Sequence, residues 1–282
     1  MAEEKWDLII KPQSSWLDLR LGEVWRYRDL LFLFVKRDFV AIYKQTILGP
    51  LWFFIQPVLT TLMFWLIFAF FAKMSTEGMP PLLFYLTGLT LWNYFADCLT
   101  KTSETFTKNQ NIFGKVFFPR LIVPLSITVS SLLKFGIQLL LLLGVWLYYY
   151  LFDTPFTIHP NKVLLLVPVL VIIMAGLSLG FGVIFSSITT KYKDMKFLLQ
   201  FGVQLLMYAS SVVIPISVMG KYAWAFKLNP MVNIIEAFKY AFLGTGQFSW
   251  FWLGYSFCFM LILLFLGIII FNRVEKSFMD TV

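Results

Sequence analysis

The sequence predicts an all-α integral membrane protein: six transmembrane helices, an N-terminal interfacial amphipathic helix, and short re-entrant helices before the last span. Composition is the first observation behind this. Of 282 residues, 59% are hydrophobic and only 13% charged, with mean hydropathy +0.78, against about 25% charged in a soluble domain. Second, long apolar runs recur, and about 20 residues of helix suffice to cross a hydrocarbon core of about 30 Å. The runs are continuous rather than alternating, so helices fit and a closed barrel does not. Third, the basic residues are unevenly shared among the connections. With spans at 51–72, 82–99, 121–152, 163–188, 197–218 and 250–271, the segments on the side of both termini hold 17 Lys and Arg and the opposite side holds 5. Basic loops stay cytoplasmic, so both termini are expected inside. The same rule accounts for the net charge of +8 without nucleic acid. The expected organisation is a cytoplasmic N-terminal segment at 1–50, a permeation domain at 51–271 and a cytoplasmic tail at 272–282. Charge through the first fifty residues argues against a cleavable leader.

Residues 22–44 read as one amphipathic helix. Val24, Tyr27, Leu31, Phe34 and Ile42 recur on one face, and Arg26, Asp29, Lys36, Arg37 and Lys44 fall mostly on the other. Such a helix lies in the membrane interface or packs on a partner protein; both are compatible with the pattern. Gly49-Pro50 then forms an elbow into the first span, where proline is tolerated in the first helical turn, and Pro57 is expected to kink that span.

The second span should continue past the membrane surface. Asn93, Asp97, Lys101, Glu104 and Lys108 form one helical stripe. Asp97/Lys101 and Glu104/Lys108 are i,i+4 pairs with the acid first. A helix over 82–109 is about 42 Å long, more than the hydrocarbon core. The third span is long enough for a span plus an interfacial turn. Gly176 to Gly182, "GLSLGFG", carries a small-xxx-small spacing that suits close helix packing. Before the last span, "LNPMVNIIEAFKYAFLG" has Asn229 as N-cap, Pro230 at the first helical position and Gly244 as C-cap. That helix, about 20 Å long, is too short to cross. Met231, Ile234, Ile235, Phe238 and Phe242 make an apolar face, with Asn233, Glu236 and Tyr240 opposite, the pattern of a re-entrant or interfacial helix.

Catalytic constellations are missing. His159 is the sole histidine, which argues against a His-based metal site. Cys98 and Cys258 both lie in apolar segments, so no disulfide framework is implied. Neither "FGKV" nor "MGKY" is a phosphate loop, since each lacks the leading glycine and the hydroxyl residue. A membrane-embedded glycan-processing enzyme is therefore disfavoured. Sparse intramembrane charge, Asp97 and Lys134, disfavours a proton- or ion-coupled carrier. With 32 Phe, 12 Tyr and 10 Trp, aromatics exceed what an interfacial belt of Tyr148–Tyr150, Trp250 and Trp252 requires. The excess faces lipid, packing partners, or a conduit for sugar rings, and composition does not separate these.

Three segments in order carry a resemblance: "RDFVAIYKQTILGPLWFFIQP" from Arg37, "FGKVFFPRLIVPLS" from Phe113, and the "LNPMVNIIEAFKYAFLG" motif. Over roughly 30–271 the chain resembles the permease subunits of polysaccharide-exporting ABC transporters, the O-antigen (Wzm-type) and related teichoic-acid exporters. The resemblance implies a homodimer of permeases with two separately encoded ATP-binding subunits, which bind ATP and Mg, so that this chain holds no cofactor and is not itself an enzyme. It implies a cargo of lipid-linked polysaccharide moved from the cytoplasm across the bacterial inner membrane, or, as the alternative, a teichoic-acid or other lipid or drug cargo. It casts the N-terminal helix as an interface or gate helix, with Arg26, Lys36, Arg37, Tyr43 and Lys44. The segment 107–118 becomes the coupling helix docking on the ATPase, with Phe113, Gly114, Lys115, Phe117 and Phe118. Lys191, Lys193 and Lys196 would make a second contact. Trp52 and Phe53 would open the first channel-forming span, and Asn229, Pro230, Glu236 and Tyr240 would stand along the channel or its exit.

Overall fold

A computed structural model describes residues 21–44, 47–152 and 161–278; His159, Gln45 and the expected loop around 153–160 lie outside them. Among the described residues the regular structure is entirely helical. The N-terminal helix is two, α1 (Leu21–Arg26) and α2 (Arg28–Tyr43), because Tyr27 leaves helical geometry at φ −94°, ψ 21°. Val24, Tyr27, Leu31 and Phe34 pack inward, as their spacing predicts, while Phe32 and Leu33 stand exposed on another side. The pair thus packs on its own bundle and still presents apolar surface outward.

Gly49 takes φ +50° at the elbow, where a side chain would be strained. Then α3 (Trp52–Phe64) runs unbroken through Pro57 and continues as wide π-helical turns over Trp65–Phe71. Next, α4 (Pro81–Ser103) is the central helix: 16 of its 23 residues are buried, against α3 and later elements. It does not run on to Asn109. It breaks at Glu104, φ −100°, ψ 11°, and α5 (Thr105–Phe113) restarts. Hydroxyls explain the break. Ser103 donates to the Thr100 carbonyl at 2.7 Å, Thr105 to that of Thr102 at 2.7 Å, and Thr189 to that of Ser103 at 2.7 Å. Such local bonds compete with the helical ladder.

The long α6 (Ile122–Leu151) follows, then α7 (Val167–Lys191), preceded by a 3-10 turn at Lys162–Leu166. A Cβ on Gly176 would strike Met260, and one on Gly182 would strike Thr102 of α4. The small-residue spacing therefore serves close helix packing, as expected. The fifth expected span is not one continuous helix: α8 (Met195–Tyr208) ends at Ala209. The chain then passes through Ser211 at φ +57° with Val212 and Val213 fully buried. After a 3-10 turn come α9 (Ala223–Lys227) and α10 (Pro230–Leu243), and α11 (Trp250–Phe278) closes the chain, running on beyond Phe271 in one helix.

Among the described residues, four helices are long and apolar enough to cross a membrane: Trp52–Phe71, Ile122–Leu151, Lys162–Lys191 and Trp250–Glu275. The segment of α4 falls short because Asn93, Asp97 and Lys101 interrupt its apolar run. The segment of α8 falls short because 14 residues reach only about 21 Å.

The caps of α10 are as read: Asn229 Oδ1 accepts from the Met231 N–H at 3.1 Å, and Gly244 sits at φ +79°. The face assignment is not. Thirteen of its 14 residues are buried, and Glu236, expected on a polar face reachable from outside, is 1% exposed. Its carboxylate accepts from the Ser211 hydroxyl and from the Gln247 N–H at 3.2 Å. Lys239, expected as an outer-loop cation, lies 4.0 Å from Glu236, donates to the Ser211 carbonyl, and stands 3.7 Å over the Phe84 ring of α4. This cluster satisfies the irregular backbone after α8 and pins α10 against α4. Buried charge needs partners, and of those of Glu236 the Ser211 hydroxyl is distant in sequence.

At the end of the bundle where α2 lies, Glu104 joins Lys108 of α5 to Lys196 of α8. Burial raises its carboxyl pKa, but hydrogen bonds and charge from the two lysines outweigh this and hold it below the ordinary glutamate range. A depressed carboxyl stabilises the fold above its unfolded pKa, and that stabilisation is lost as pH falls through the folded value. Glu104→Gln is therefore expected to lower the melting temperature at neutral pH and to flatten the acid side of the stability profile; thermal unfolding in detergent from pH 7 downward checks this. Lys239→Ala leaves Glu236 buried beside an emptied site and is expected to destabilise by about 3–5 kcal/mol, read from denaturant or thermal unfolding.

Candidate functional site

One groove between α3, α4 and α6 gathers the polar residues of three otherwise apolar helices. Trp52, Phe53, Gln56, Pro57 and Thr60 line it from α3, Asn93, Tyr94, Ala96 and Asp97 from α4, and Ser131, Lys134, Phe135 and Gln138 from α6, around a cavity of about 370 Å³. The spacing makes this possible. Gln56/Thr60, Asn93/Asp97 and Lys134/Gln138 are each four apart, so each pair shares one helix face. Trp52 and Gln56 are exposed, so the groove opens at the surface.

Its electrostatic centre is Asp97. Lys101 lies 2.8 Å away on the same helix, Lys134 of α6 at 3.2 Å, and the Ser131 hydroxyl donates to it at 3.1 Å. The i,i+4 pair was legible; that Lys134 reaches Asp97 rather than the membrane surface was not. Lys134 also stands 5.8 Å over the Phe53 ring. Asp97 and Lys134 are the charged residues that line the groove, while Lys101 borders a separate cavity with Asp38 and Glu104. A charge inside a membrane span costs about 3 kcal/mol.

Several polar groups here lack protein partners. Among the described residues, the Gln56, Asn93 and Gln138 amides make no hydrogen bond. The hydroxyl of Tyr94, a residue 2% exposed, is buried without one. For the buried Tyr94 hydroxyl, the unmade bond costs about 1–3 kcal/mol. Free amides and hydroxyls beside flat apolar rings can hold a polyhydroxylated ligand, which presents hydroxyls at its edges and C–H groups on its faces. Among the described residues no group of three or more His, Cys, Asp and Glu is placed to hold a metal ion.

A second feature occupies the end of the bundle near α2. Rings form a chain from element to element: Phe34 to Phe118 at 5.7 Å, Phe118 to Phe113 at 5.8 Å, Phe113 to Phe106 at 5.9 Å, and Phe106 to Phe271 at 4.6 Å. This separates residues that the sequence treats alike. Phe113 and Phe118 are buried core anchors and are not available to an outside partner, whereas Phe117 is 63% exposed beside exposed Gly114, Lys115 and Val116. The turn after α7 likewise exposes Lys191, Tyr192 and Lys193, while Lys196 is engaged by Glu104. Arg26, Lys36, Arg37 and Lys44 project from the exposed side of α1 and α2, with Arg37 bonded to Asp38 at 2.9 Å; the Tyr43 side chain lies outside the described set.

The remaining expected residues do not meet at the groove. Asn229 donates to the Ala209 carbonyl at 3.2 Å, Pro230 and Glu236 are buried in α10, and Tyr240 stacks on Phe248 at 5.9 Å. Trp52 and Phe53 are in it. The sequence reading missed Gln56, Thr60, Tyr94, Ser131 and Gln138; for Gln56, Thr60 and Gln138 the signal was the four-residue spacing of polar side chains within apolar spans.

The chain is similar to O-antigen export system permease protein RfbA of Klebsiella pneumoniae, 25% identical over 254 residues, covering 89% of this chain and 94% of that protein. It is 26% identical over 223 residues to the Myxococcus xanthus protein of that name, covering 78% and 82%. It is 24% identical over 259 residues to polysialic acid transport protein KpsM of Escherichia coli, covering 90% and 95%. The ABC-2 type transporter family matches residues 29–243, a stretch that runs from α2 through the groove to the end of α10, and the chain belongs to that family.

Proposed function

We propose that this chain is the channel-forming permease subunit of an ATP-driven exporter that carries a lipid-linked polysaccharide out of the cytoplasm across the inner membrane. The observation that carries the reading is the groove: aromatic faces and unpartnered amides set into three helices of a chain similar, over most of its length, to permeases named for O-antigen and polysialic acid export. In this reading α3 with its π turns, α4, α6, α7, α8 with the segment after it, and α11 make six spans. The short α9 and α10 form a re-entrant hairpin near the outer exit, and both termini lie in the cytoplasm, as the basic-residue bias supports. A second copy of the chain completes the conduit. Two ATP-binding subunits supply hydrolysis, with ATP and Mg held in those partners, and the permease performs no chemistry of its own.

The exposed Val116–Phe117 turn and Tyr192 are the docking points for the ATPase, with the ring chain behind them carrying its motion to α2 and α11. Phe117→Asp is expected to leave folding and insertion intact, to reduce ATPase co-purification at least tenfold, and to trap lipid-linked glycan inside the cell. Unchanged co-purification together with unchanged export would refute the docking assignment. A reporter fused after Val282 that is active only outside the cytoplasm is expected to stay silent.

A further inference from the structure

The charged residues that line the groove between α3, α4 and α6 are Asp97 and Lys134, and they answer each other at 3.2 Å. Lys101, at 2.8 Å, and the Ser131 hydroxyl, at 3.1 Å, donate to the same carboxylate. Neither charge lining the groove is left over for a ligand. What is left over is neutral. The Gln56, Asn93 and Gln138 side chains, one from each of the three helices, make no hydrogen bond among the described residues. Each amide offers two donors and an acceptor. The Tyr94 hydroxyl is unpaired as well, but it is closed to the surface, so the amides carry the recognition. Of the rings, Phe53 is buried with Lys134 5.8 Å over it, whereas Trp52 is 47% exposed, one helical turn before Gln56.

Amides and sugar hydroxyls suit each other, because both donate and both accept. A carboxylate or phosphate only accepts. It would leave the amide oxygens unanswered, approach the Asp97 carboxylate, and find Lys134 already engaged. A charge taken from water onto such neutral partners stays under-compensated. We infer that the groove is a subsite for an uncharged sugar residue. Trp52 covers one face of the ring, and Gln56, Asn93 and Gln138 bind its hydroxyls. The cavity of about 370 Å³ is at the small end of ligand pockets, which run from about 300 to 1,000 Å³, so it holds a short element of glycan rather than a long stretch of polymer. The inference rests on the glycan-export reading and narrows it: the part of the glycan gripped here is neutral, which sets the cargo apart from a wholly acidic polymer.

Equilibrium binding to the intact transporter in lipid nanodiscs tests this, with a fluorescent tetraglucoside and the same tetrasaccharide oxidised to glucuronate at its primary hydroxyls. The neutral form is expected to bind about tenfold more tightly than the acidic form. Gln138→Leu removes no hydrogen bond among the described residues; it is expected to weaken the neutral form several-fold with no fall in unfolding temperature. A fall in unfolding temperature with binding unchanged would make the amide a structural group and overturn the subsite. Equal binding of the two forms, or tighter binding of the acidic one, would overturn the uncharged assignment and leave glycan export standing. Where neither form binds, cells lacking this chain decide how much falls: lipid-linked glycan accumulating inside them overturns the subsite alone, and no accumulation overturns the export reading with it.

Discussion

Hydrocarbon offers no hydrogen bonds, so each polar group placed within a span must be answered by protein. That demand organises the structure around α4. Its Thr87 and Thr90 hydroxyls return to carbonyls one turn back at 2.7 Å. Its Asp97 draws Lys134 from α6, and its Phe84 ring receives the Lys239 ammonium from α10. Neighbouring helices therefore wrap α4 on most sides, and Gly88 and Gly182 let them come close: a Cβ on Gly88 would lie 3.2 Å from the Val212 carbonyl oxygen. Several buried hydroxyls still find no protein partner, among them Tyr85, Tyr94 and Thr102 of α4, and only Tyr94 of these three lines the groove.

Local features of the chain were readable one segment at a time. The cap residues Asn229, Pro230 and Gly244 depend on backbone geometry within a few positions, so they bound α10 as expected. The Asp97/Lys101 and Glu104/Lys108 pairs likewise depend only on helical spacing. Features that depend on meetings across the fold were not readable. Glu236 and Ser211 are 25 positions apart, and Lys134 and Asp97 are 37 apart; no periodicity announces such partners. Without them, Glu236 reads as part of a polar face and Lys134 as a sparse charge within a span. The break at Glu104 was hidden for another reason. Helical spacing continues through it, and only the hydroxyls of Ser103, Thr105 and Thr189 divert the backbone.

The two halves of the functional picture are joined mechanically. The ring chain from Phe34 to Phe271 touches α2, the turn after α5, α5 itself and α11, and Arg120 ties that turn to the Glu275 carbonyl at 2.8 Å. Just above it, Glu104 couples the ends of α4, α5 and α8. A displacement of the exposed turn therefore meets a stiff cluster rather than a soft loop, because packed interiors shift between discrete arrangements rather than bending smoothly. The groove begins one to two turns further along α4, within reach of that displacement.

The wide turns of Trp65–Phe71 have a separate consequence. A π segment is where a helix stores a surplus residue, since each turn spans five positions rather than four. Chain length is therefore slack at this point and taut below it, where Gln56 and Thr60 must keep their bearing on the groove. The loss of a single residue between 65 and 71 would be absorbed by tightening to ordinary helix, and the lower half of the span would keep its orientation. The same loss between 56 and 60 would rotate one wall of the groove away from the other two.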